Sequence, residues 1–260
     1  MKKILFSDID GTILDEFQPI SKKDQEAITR LRKEGHYFSF CTGRNFQETK
    51  VISHFFEYDY MVLNNGAMIV DKDDRVLFRK QIKNEVAKKI LKRCLKKYPY
   101  LNYSFYDGQH TYIYFGKNHT AVLTKNGFKK IDDDFIELLE NMEDDFDIFC
   151  AHHPDGKLDE VLEIQKYIDE NYEGIHGTLN TKFLDITVDH CSKGTGLLKL
   201  VSLLDEDMET YCIGDSYNDM SMFQTAKHPY TFNHAEDEIK RYTEKQVDYV
   251  YELIEDMLEG

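Results

Sequence analysis

The chain has 260 residues, of which 41% are hydrophobic, so it is long enough for one or two domains with a substantial core. Its 33 basic and 48 acidic residues give a net charge of −15, which argues against a nucleic-acid backbone or an anionic membrane as the main partner. A small anionic ligand stays compatible with this charge, because a bound metal ion and one lysine can invert the field locally.

The cysteines favour a reducing compartment. They are odd in number, widely spaced and contain no CxxC pair: Cys41, Cys94, Cys150, Cys191 and Cys212. The simplest interpretation is a cytoplasmic chain whose thiols are mostly buried. The apolar run after Lys2 and Lys3 is too short for a signal peptide, and we expect no membrane span.

The first part of the chain alternates strands and helices. The predicted elements are a strand at Ile4–Ser7, a helix from Ser21 to about Glu34, a strand at His36–Cys41, a helix at Phe46–Phe56, a strand at Tyr60–Leu63 and a hairpin of Met68–Val70 with Val76–Phe78. Such alternation predicts a parallel sheet with right-handed crossovers.

The middle of the chain has a different character. The predicted elements are a helix at Asn84–Lys97, strands at Leu101–Tyr106 and Thr111–Phe115, a short helix within Asp132–Asp145, a strand at Phe146–Ala151, a helix at Leu158–Asn171 and a strand at Lys182–Val188. These signals are mainly antiparallel. We therefore predict an inserted α+β domain over residues 82–187, within a core formed by residues 1–81 and 188–260.

The parallel pattern returns from Ser192 onward. The predicted elements are a helix at Thr195–Leu204 that Lys193-Gly194 starts, a strand at Met208–Ile213, a helix through Phe223, a strand near Tyr230–Phe232 and a helix at Tyr249–Leu258. The whole pattern predicts an α/β fold with a doubly wound, Rossmann-like parallel sheet.

Polar clusters follow the predicted strands or begin a helix. They are Asp8 with Asp10, Thr42 with Gly43, Lys193, and Asp215 with Asn218 and Asp219. A doubly wound sheet gathers the carboxyl ends of its strands at one edge, so we expect these residues to meet in one pocket. While the chain stays extended, Asp8 and Asp10 would point to the same face.

The residue types in these clusters suit phosphoryl transfer. Several carboxylates can hold a hard divalent cation such as Mg2+ through oxygen. A hydroxyl, the amides around Gly43 and a lysine at a helix start are donors that suit an anion. Carboxylates, magnesium and anion donors together indicate a phosphoryl-transfer site.

The motifs resemble those of the haloacid dehalogenase (HAD) superfamily. Asp8-Ile9-Asp10-Gly11-Thr12 is similar to its first motif, Thr42 to the second, Lys193 to the third and Gly214-Asp215-Ser216-Tyr217-Asn218-Asp219 to the fourth. Asn64-Asn65-Gly66-Ala67 and the insertion between motifs two and three resemble the Cof-type group, subfamily IIB. The similarity covers nearly the whole chain and implies a HAD core with an inserted cap domain.

The resemblance also implies roles for the two aspartates of the first motif. Asp8 would be the nucleophile that becomes an aspartyl phosphate, and Asp10 would protonate the leaving oxygen and then activate water. An aspartate at position 10 suits a leaving group that needs a proton, such as an alcohol.

The other motifs would bind the metal ion and the phosphoryl group. Asp8, the backbone carbonyl of Asp10 and Asp215 would hold Mg2+, which Asp219 would support from behind these ligands. Thr42, Gly43, Lys193 and Asn218 would bind the phosphoryl group. For Arg44 and Asn64, contact with substrate and a structural hydrogen bond both stay open.

The predicted function is a Mg2+-dependent phosphatase that acts on a small phosphorylated metabolite, a sugar phosphate or a phosphorylated cofactor. Two alternatives stay open: a phosphomutase of the same fold, and a non-catalytic protein that binds a phosphorylated ligand. The sequence leaves the natural substrate and the oligomeric state undetermined, with a monomer favoured.

Overall fold

The computed structural model describes residues 1–14, 20–116 and 119–259. The strands are β1 (Lys2–Ser7), β2 (Tyr37–Cys41), β3 (Tyr60–Leu63), β4 (Met68–Asp71), β5 (Val76–Arg79), β6 (Asn102–Tyr106), β7 (Thr111–Phe115), β8 (Thr120–Thr124), β9 (Gly127–Ile131), β10 (Phe149–His152), β11 (Ile175–Asn180), β12 (Phe183–Val188), β13 (Met208–Ile213), β14 (His228–Phe232) and β15 (Lys245–Val247). The helices are α1 (Lys22–Lys33), α2 (Phe46–Ser53), α3 (Asn84–Lys97), α4 (Phe135–Asn141), α5 (Asp159–Asn171), α6 (Lys193–Leu204), α7 (Met220–Phe223), α8 (Asp237–Lys240) and α9 (Val250–Glu259). Short 3-10 turns lie at Asn64–Gly66 and Tyr217–Asp219.

The chain divides into two compact units. The first comprises residues 1–44, 52–79 and the segment from Cys191 onward, and the second comprises residues 45–51 and 80–190. The sequence does not predict that residues 45–51 group with the second unit. The function of residues 82–187 as an inserted cap stays a prediction.

The first unit is built on one sheet with the strand order β15-β14-β13-β1-β2-β3-β4-β5. The strands from β15 to β3 run parallel, and β4 and β5 extend the sheet as the predicted antiparallel hairpin. The central strand β1 is almost fully buried, as expected for a parallel strand that is covered on both faces. Ile4 and Phe6 pack with residues of α6 and α7, whereas α1 packs against α9 and β2. The predicted α/β fold class with a parallel sheet is confirmed.

The second unit contains an antiparallel sheet with the strand order β11-β12-β10-β6-β7-β8-β9. Tyr103, Phe105 and Phe149 point to one face of this sheet and form a core with the apolar sides of α3, α4 and α5. The aromatic alternation in the sequence predicts β6 and β7, and α3 begins and ends where the pattern places it.

No helix among the described residues has both the length and the apolar character that a membrane span requires.

Candidate active site

Three parallel strands of the first unit, β2, β1 and β13, end side by side, and polar residues lie in the loops that follow them. Ser7, the last residue of β1, pairs with Phe40 of β2 and with Ile213 of β13. Asp8 follows immediately, is buried, and donates its amide hydrogen to the carbonyl of Ile213 (3.0 Å). The register therefore places Asp8 at the centre of the sheet, next to the loop that begins with Thr42.

Lys193 lies between two of the carboxylates. Its Nζ is 2.7 Å from Oδ1 of Asp8 and 2.6 Å from Oδ1 of Asp219, and its side chain is completely buried. Burial opposes the charge of Lys193, but Asp219 and Asp8 outweigh this effect and raise the pKa of the ammonium group. Lys193 is therefore a permanent cation over the whole physiological pH range.

The first turn of α6 fixes the position of Lys193. Ser192 caps the helix by accepting a hydrogen bond from the amide of Thr195, and the Thr195 side chain bonds back to the amide of Ser192. A Cβ on Gly194 would collide with the carbonyl of Ser221, so only glycine permits this close approach to the neighbouring segment. The Lys-Gly sequence thus combines the functional group with the packing that positions it.

Asp219 is held from both sides. Its Oδ1 accepts from Lys193, and its Oδ2 accepts from the amides of Asp215 and Ser216, each at 3.0 Å. A Cβ on Gly214 would clash with the Asp219 side chain, so the chain passes directly over this carboxylate. With both oxygens bonded and no exposed surface, Asp219 organises the loop that carries Asp215.

Asp215 faces the loop of the first motif. Its Oδ1 accepts from Oγ1 of Thr12 (2.9 Å), and a Cβ on Gly11 would fall on its carboxylate. Gly11 has φ +75°, which is a left-handed conformation that favours glycine. Two segments about 200 residues apart in sequence are thereby in contact.

The electrostatic balance of this cluster is uneven. Burial raises the pKa of Asp8 to about 8, with Lys193 acting against it and with Asp219 and Asp215 adding to it. Burial also raises the pKa of Asp215 to about 6, again with a contribution from Asp219. Asp8 and Asp215 therefore resist ionisation unless further positive charge binds.

The donor set fits a divalent cation. One oxygen from each of Asp8, Asp215 and Asp219 lies within 4.8 Å of the others. Carboxylate oxygens are the ligands that Mg2+ prefers, and Mg2+ commonly binds through one or two carboxylates while it keeps several waters. Since the Asp219 carboxylate already accepts four hydrogen bonds, Asp8 and Asp215 are the carboxylates better placed to coordinate an ion.

Asp10 takes a different partner from Asp8. The extended-chain expectation does not apply, because β1 ends at Ser7 and the chain turns at Gly11. Arg44 donates hydrogen bonds to both carboxylate oxygens of Asp10, from Nε to Oδ2 at 2.8 Å and from Nη2 to Oδ1 at 2.6 Å. The Asp10 side chain is 57% exposed, in contrast to buried Asp8.

The loop after β2 is fixed to the loop after β3. The amide of Thr42 donates to the carbonyl of Val62 (2.9 Å), and the amides of Asn64 and Asn65 donate to the carbonyls of Arg44 and Thr42, both at 3.1 Å. The Thr42 hydroxyl accepts from the Arg44 amide (3.2 Å).

Two further contacts join these loops to the start of α6. The Cys41 thiol donates to the carbonyl of Lys193 (3.6 Å). Gly66 approaches the carbonyl of Ser192 so closely that no Cβ would fit, and it has φ +91°. The carboxyl ends of β1, β2, β3 and β13 and the amino end of α6 therefore form one continuous polar region.

Gly43 and Asn218 lie at the rim of this region and are partly exposed. The Asn218 Oδ1 accepts from the Ser216 hydroxyl (2.7 Å) within the 3-10 turn Tyr217–Asp219. Their predicted contacts with a phosphoryl group stay predictions.

Thr12, Arg44 and Ser216 are polar residues of this site whose contacts sequence reasoning did not assign. Thr12 and Ser216 lie within the first and fourth motifs, so the sequence indicates that they belong to the site. Nothing in the local spacing indicates the hydrogen bond from Thr12 to Asp215. The pair of Arg44 with Asp10 joins residues 34 positions apart, which only the tertiary fold brings together.

Comparisons with known proteins agree with this architecture. A model of the haloacid dehalogenase-like hydrolase family matches residues 5–252. The chain is 27% identical over 264 residues to the 5-amino-6-(5-phospho-D-ribitylamino)uracil phosphatase of Bacillus subtilis, covering 92% of this chain and 90% of that protein. It is 26% identical to a putative phosphatase of Buchnera aphidicola, covering 85% of this chain and 83% of that protein.

Solved structures share the fold along the whole chain. A haloacid dehalogenase-like hydrolase from B. subtilis superposes with a TM-score of 0.79 at 21% identity, covering 97% of this chain and 99% of that one. A HAD subclass IIB sugar phosphatase superposes with a TM-score of 0.71 at 20% identity, covering 99% and 98%. These matches confirm the resemblance that the sequence motifs indicate.

Proposed function

The chain belongs to the haloacid dehalogenase-like hydrolase family, and from this premise we propose that it is a Mg2+-dependent phosphatase working through an aspartyl phosphate on Asp8. Its substrate would be a small phosphorylated metabolite, either a sugar phosphate or a phosphorylated cofactor. The phosphatase class is the part that the named relatives support directly. The metal ion, the covalent intermediate and the substrate class are our inference.

The observation that carries the proposal is the cluster of Asp8, Asp215 and Asp219, in which buried Asp8 and Asp219 both pair with Lys193 and Asp215 is partly buried. A carboxylate can approach a phosphate dianion only if positive charge and hydrogen-bond donors cancel their repulsion. A structural ion pair would need one carboxylate for the lysine, and placing a second buried and a third partly buried carboxylate beside it is costly unless a ligand compensates. The excess of carboxylates therefore favours a site for a cation and a phosphoryl group.

In the first step, a carboxylate oxygen of Asp8 forms a bond to phosphorus while the bond from phosphorus to the leaving oxygen breaks. Asp10 donates a proton to the leaving oxygen, so the departing group is a neutral alcohol. Asp8 now carries the phosphoryl group as an acyl phosphate.

In the second step, water attacks the phosphorus of the acyl phosphate. Asp10, now a carboxylate, accepts a proton from this water, and the bond between phosphorus and Asp8 breaks. Inorganic phosphate leaves and Asp8 is regenerated.

The remaining residues would hold the reacting groups. Asp8, Asp215 and the backbone carbonyl of Asp10 would hold Mg2+, with Asp219 behind them; a bound ion there neutralises charge on the carboxylates and the phosphoryl group. Lys193, Thr42, the Gly43 amide and Asn218 would bind the phosphoryl oxygens.

The second unit would determine substrate specificity. We propose residues 82–187 as a cap that excludes bulk water and contacts the leaving group, since they belong to a compact unit with its own core. A reducing, cytoplasmic compartment suits the five cysteines, which form no disulfide with one another in the described structure.

The test measures phosphate release from p-nitrophenyl phosphate and from a panel of sugar and cofactor phosphates, with Mg2+ and with EDTA. We expect release that depends on the metal and that falls by at least about 10³-fold in Asp8→Asn. Intact-mass analysis of the acid-quenched wild-type protein should show a phosphoryl adduct that Asp8→Asn lacks.

Asp73→Asn is the matched control, because it makes the same chemical change at an exposed position of the β4–β5 turn and should leave turnover unchanged. Turnover by Asp8→Asn, with deamidation excluded, would overturn the nucleophile assignment. Transfer of the phosphoryl group to a second position of a sugar phosphate, without free phosphate, would favour the mutase. Binding of phosphorylated ligands without any turnover would favour the non-catalytic alternative.

A further inference from the structure

We propose that Arg44 is the positioning residue for Asp10, holding the carboxylate of the proton-transferring group in one orientation. The inference rests on the proposed function, because Asp10 is the group that exchanges a proton with the leaving oxygen and with water. It adds a residue to which the predicted motif roles assign no function.

The first observation is the geometry of the pair. Both Asp10 oxygens accept from Arg44, at 2.8 Å from Nε and 2.6 Å from Nη2. A bidentate contact of this kind fixes the carboxylate plane, which a single hydrogen bond to a lysine would leave free to rotate. A general acid or base needs such a fixed orientation, since proton transfer requires hydrogen-bond distance to the reacting atom.

The second observation is that the backbone of Arg44 is itself held at two points. Its amide donates to the Thr42 hydroxyl (3.2 Å), and its carbonyl accepts from the amide of Asn64 (3.1 Å). The guanidinium group therefore extends from a base that is tied to the ends of β2 and β3. Asp10, by contrast, lies on an exposed loop and gains its orientation from this partner.

The third observation separates this pair from an ordinary surface ion pair. An exposed ion pair contributes little to the free energy of unfolding, and forming it costs side-chain entropy. Stability alone therefore does not explain the contact between Arg44 and Asp10. Arg32 makes a bidentate contact of the same form with Asp59, at 2.9 and 2.8 Å, but there Asp59 also accepts from the amide of Phe38 and so joins two structural elements. The described contacts of Asp10 include no such structural link.

The experiment compares two substrates that differ in their need for an acid. An alkyl phosphate must receive a proton as its oxygen leaves, whereas p-nitrophenolate leaves without one. Because kcat/KM reports the step that expels the leaving group, loss of a correctly placed Asp10 should lower it for the alkyl substrate alone. We expect Arg44→Gln to lower kcat/KM for the alkyl phosphate by about 10- to 100-fold. For p-nitrophenyl phosphate the change should be within about threefold, inside the range of a minor effect.

Two further variants make the test specific. In an Asp10→Asn background, Arg44→Gln should cause no additional loss with the alkyl phosphate, because residues that act as a unit are not additive. Arg44→Lys keeps the charge but loses the two-point contact, so it should recover only part of the wild-type value. Arg32→Gln removes the other bidentate pair and should leave the ratio of the two substrates unchanged.

Three results would overturn the inference. Equal losses with both substrates, together with a raised KM, would mean that Arg44 binds the phosphoryl group. Wild-type kinetics in Arg44→Gln would reduce the pair to a surface contact, while the phosphatase proposal would stand. Absence of turnover in the wild-type protein would overturn both proposals.

Discussion

The two ends of the parallel sheet in the first unit differ in how completely their charged side chains are paired. At the amino ends of the strands, charged groups are matched with partners: Arg32 with Asp59, and Glu209 with Lys227 and His228. At the carboxyl ends, the carboxylates of Asp8, Asp215 and Asp219 lie close together, and Lys193 pairs with only two of them, Asp8 and Asp219.

Two carboxyl groups on neighbouring strands show how large the difference is. Hydrogen bonds from Lys227 and His228 lower the pKa of Glu209, near the start of β13, to about 2. Burial raises the pKa of Asp8, just after β1, to about 8. The charged groups at the amino ends are thus matched by partners within the protein, whereas the carboxyl ends keep carboxyl groups with raised pKa values, a pattern that is typical of functional sites.

The largest effect on the free energy of unfolding is expected for Lys193→Met, which leaves the carboxylates without their ammonium partner. Removing one partner of a buried pair costs about 3–5 kcal/mol of the free energy of unfolding. The loss should be greater at pH 8 than at pH 5.5, because Asp8 and Asp215 are protonated at the lower pH in the folded state. Urea denaturation at both pH values measures the effect.

Lys199→Met is the control for that variant. Lys199 lies on the same helix, with its ammonium group 5.3 Å from the centre of the Phe78 ring. The decrease in the free energy of unfolding of Lys199→Met should be small and independent of pH. A Lys193→Met protein as stable as wild type at pH 8 would show that the cluster holds less charge than the structure implies.

The second effect is the pH dependence of the metal-free wild-type protein. The folded-state pKa values of Asp8 and Asp215 lie above the ordinary value for aspartate, so the folded state binds more protons than the unfolded state between about pH 4 and pH 8. Stability should therefore fall as the pH rises through 6 and 8. Mg2+ at about a hundred times its Kd should restore about 2.7 kcal/mol at pH 8.

The same titration at pH 5 provides the contrast. Protonated carboxylates bind metal poorly, so the gain from Mg2+ should shrink there. Thermal unfolding with and without Mg2+, across pH 5 to 8 and in parallel for Asp8→Asn, measures both trends. A Mg2+ effect that is equal at pH 5 and pH 8, or that survives unchanged in Asp8→Asn, would place the metal elsewhere.

The sequence predicts the strands of this sheet better than it predicts the side-chain pairs at their carboxyl ends. Each strand that supports the candidate site contains a buried apolar stretch, and polar residues follow it. The pattern therefore locates β1, β2, β3 and β13 and the motif residues after them. The pairing of Arg44 with Asp10 and of Thr12 with Asp215 depends on tertiary contacts, and local spacing carries no information about either.

The sequence does not predict elements that lack a strong apolar pattern. β9 is exposed over most of its length and carries two lysines, and β15 is a three-residue edge strand. Such strands form because a neighbour offers free backbone groups, so their sequence need not alternate. The prediction from sequence is therefore best where burial on both faces dictates the residues, which is also where the candidate site lies.

The smallest expected effect is that of Glu209→Gln at the matched end of the sheet. Glu209 loses its charge but keeps its shape, so the pairs with Lys227 and His228 weaken, and the loss should stay below about 1 kcal/mol because the pairs are partly exposed. The lowered pKa means that this contribution is present above the ordinary pKa of glutamate and is lost as the pH falls toward 2. The urea midpoints of the wild-type protein and of Glu209→Gln at pH 7 should differ less in 1 M salt than in low salt, since salt screens exposed pairs.

Phosphatase turnover should not change in Glu209→Gln, because the charged groups at this end of the sheet neutralise one another and need no ligand. A fall in kcat in Glu209→Gln would show that the two ends of the sheet are coupled, and the division between an end with matched charges and an end with raised pKa values would fail.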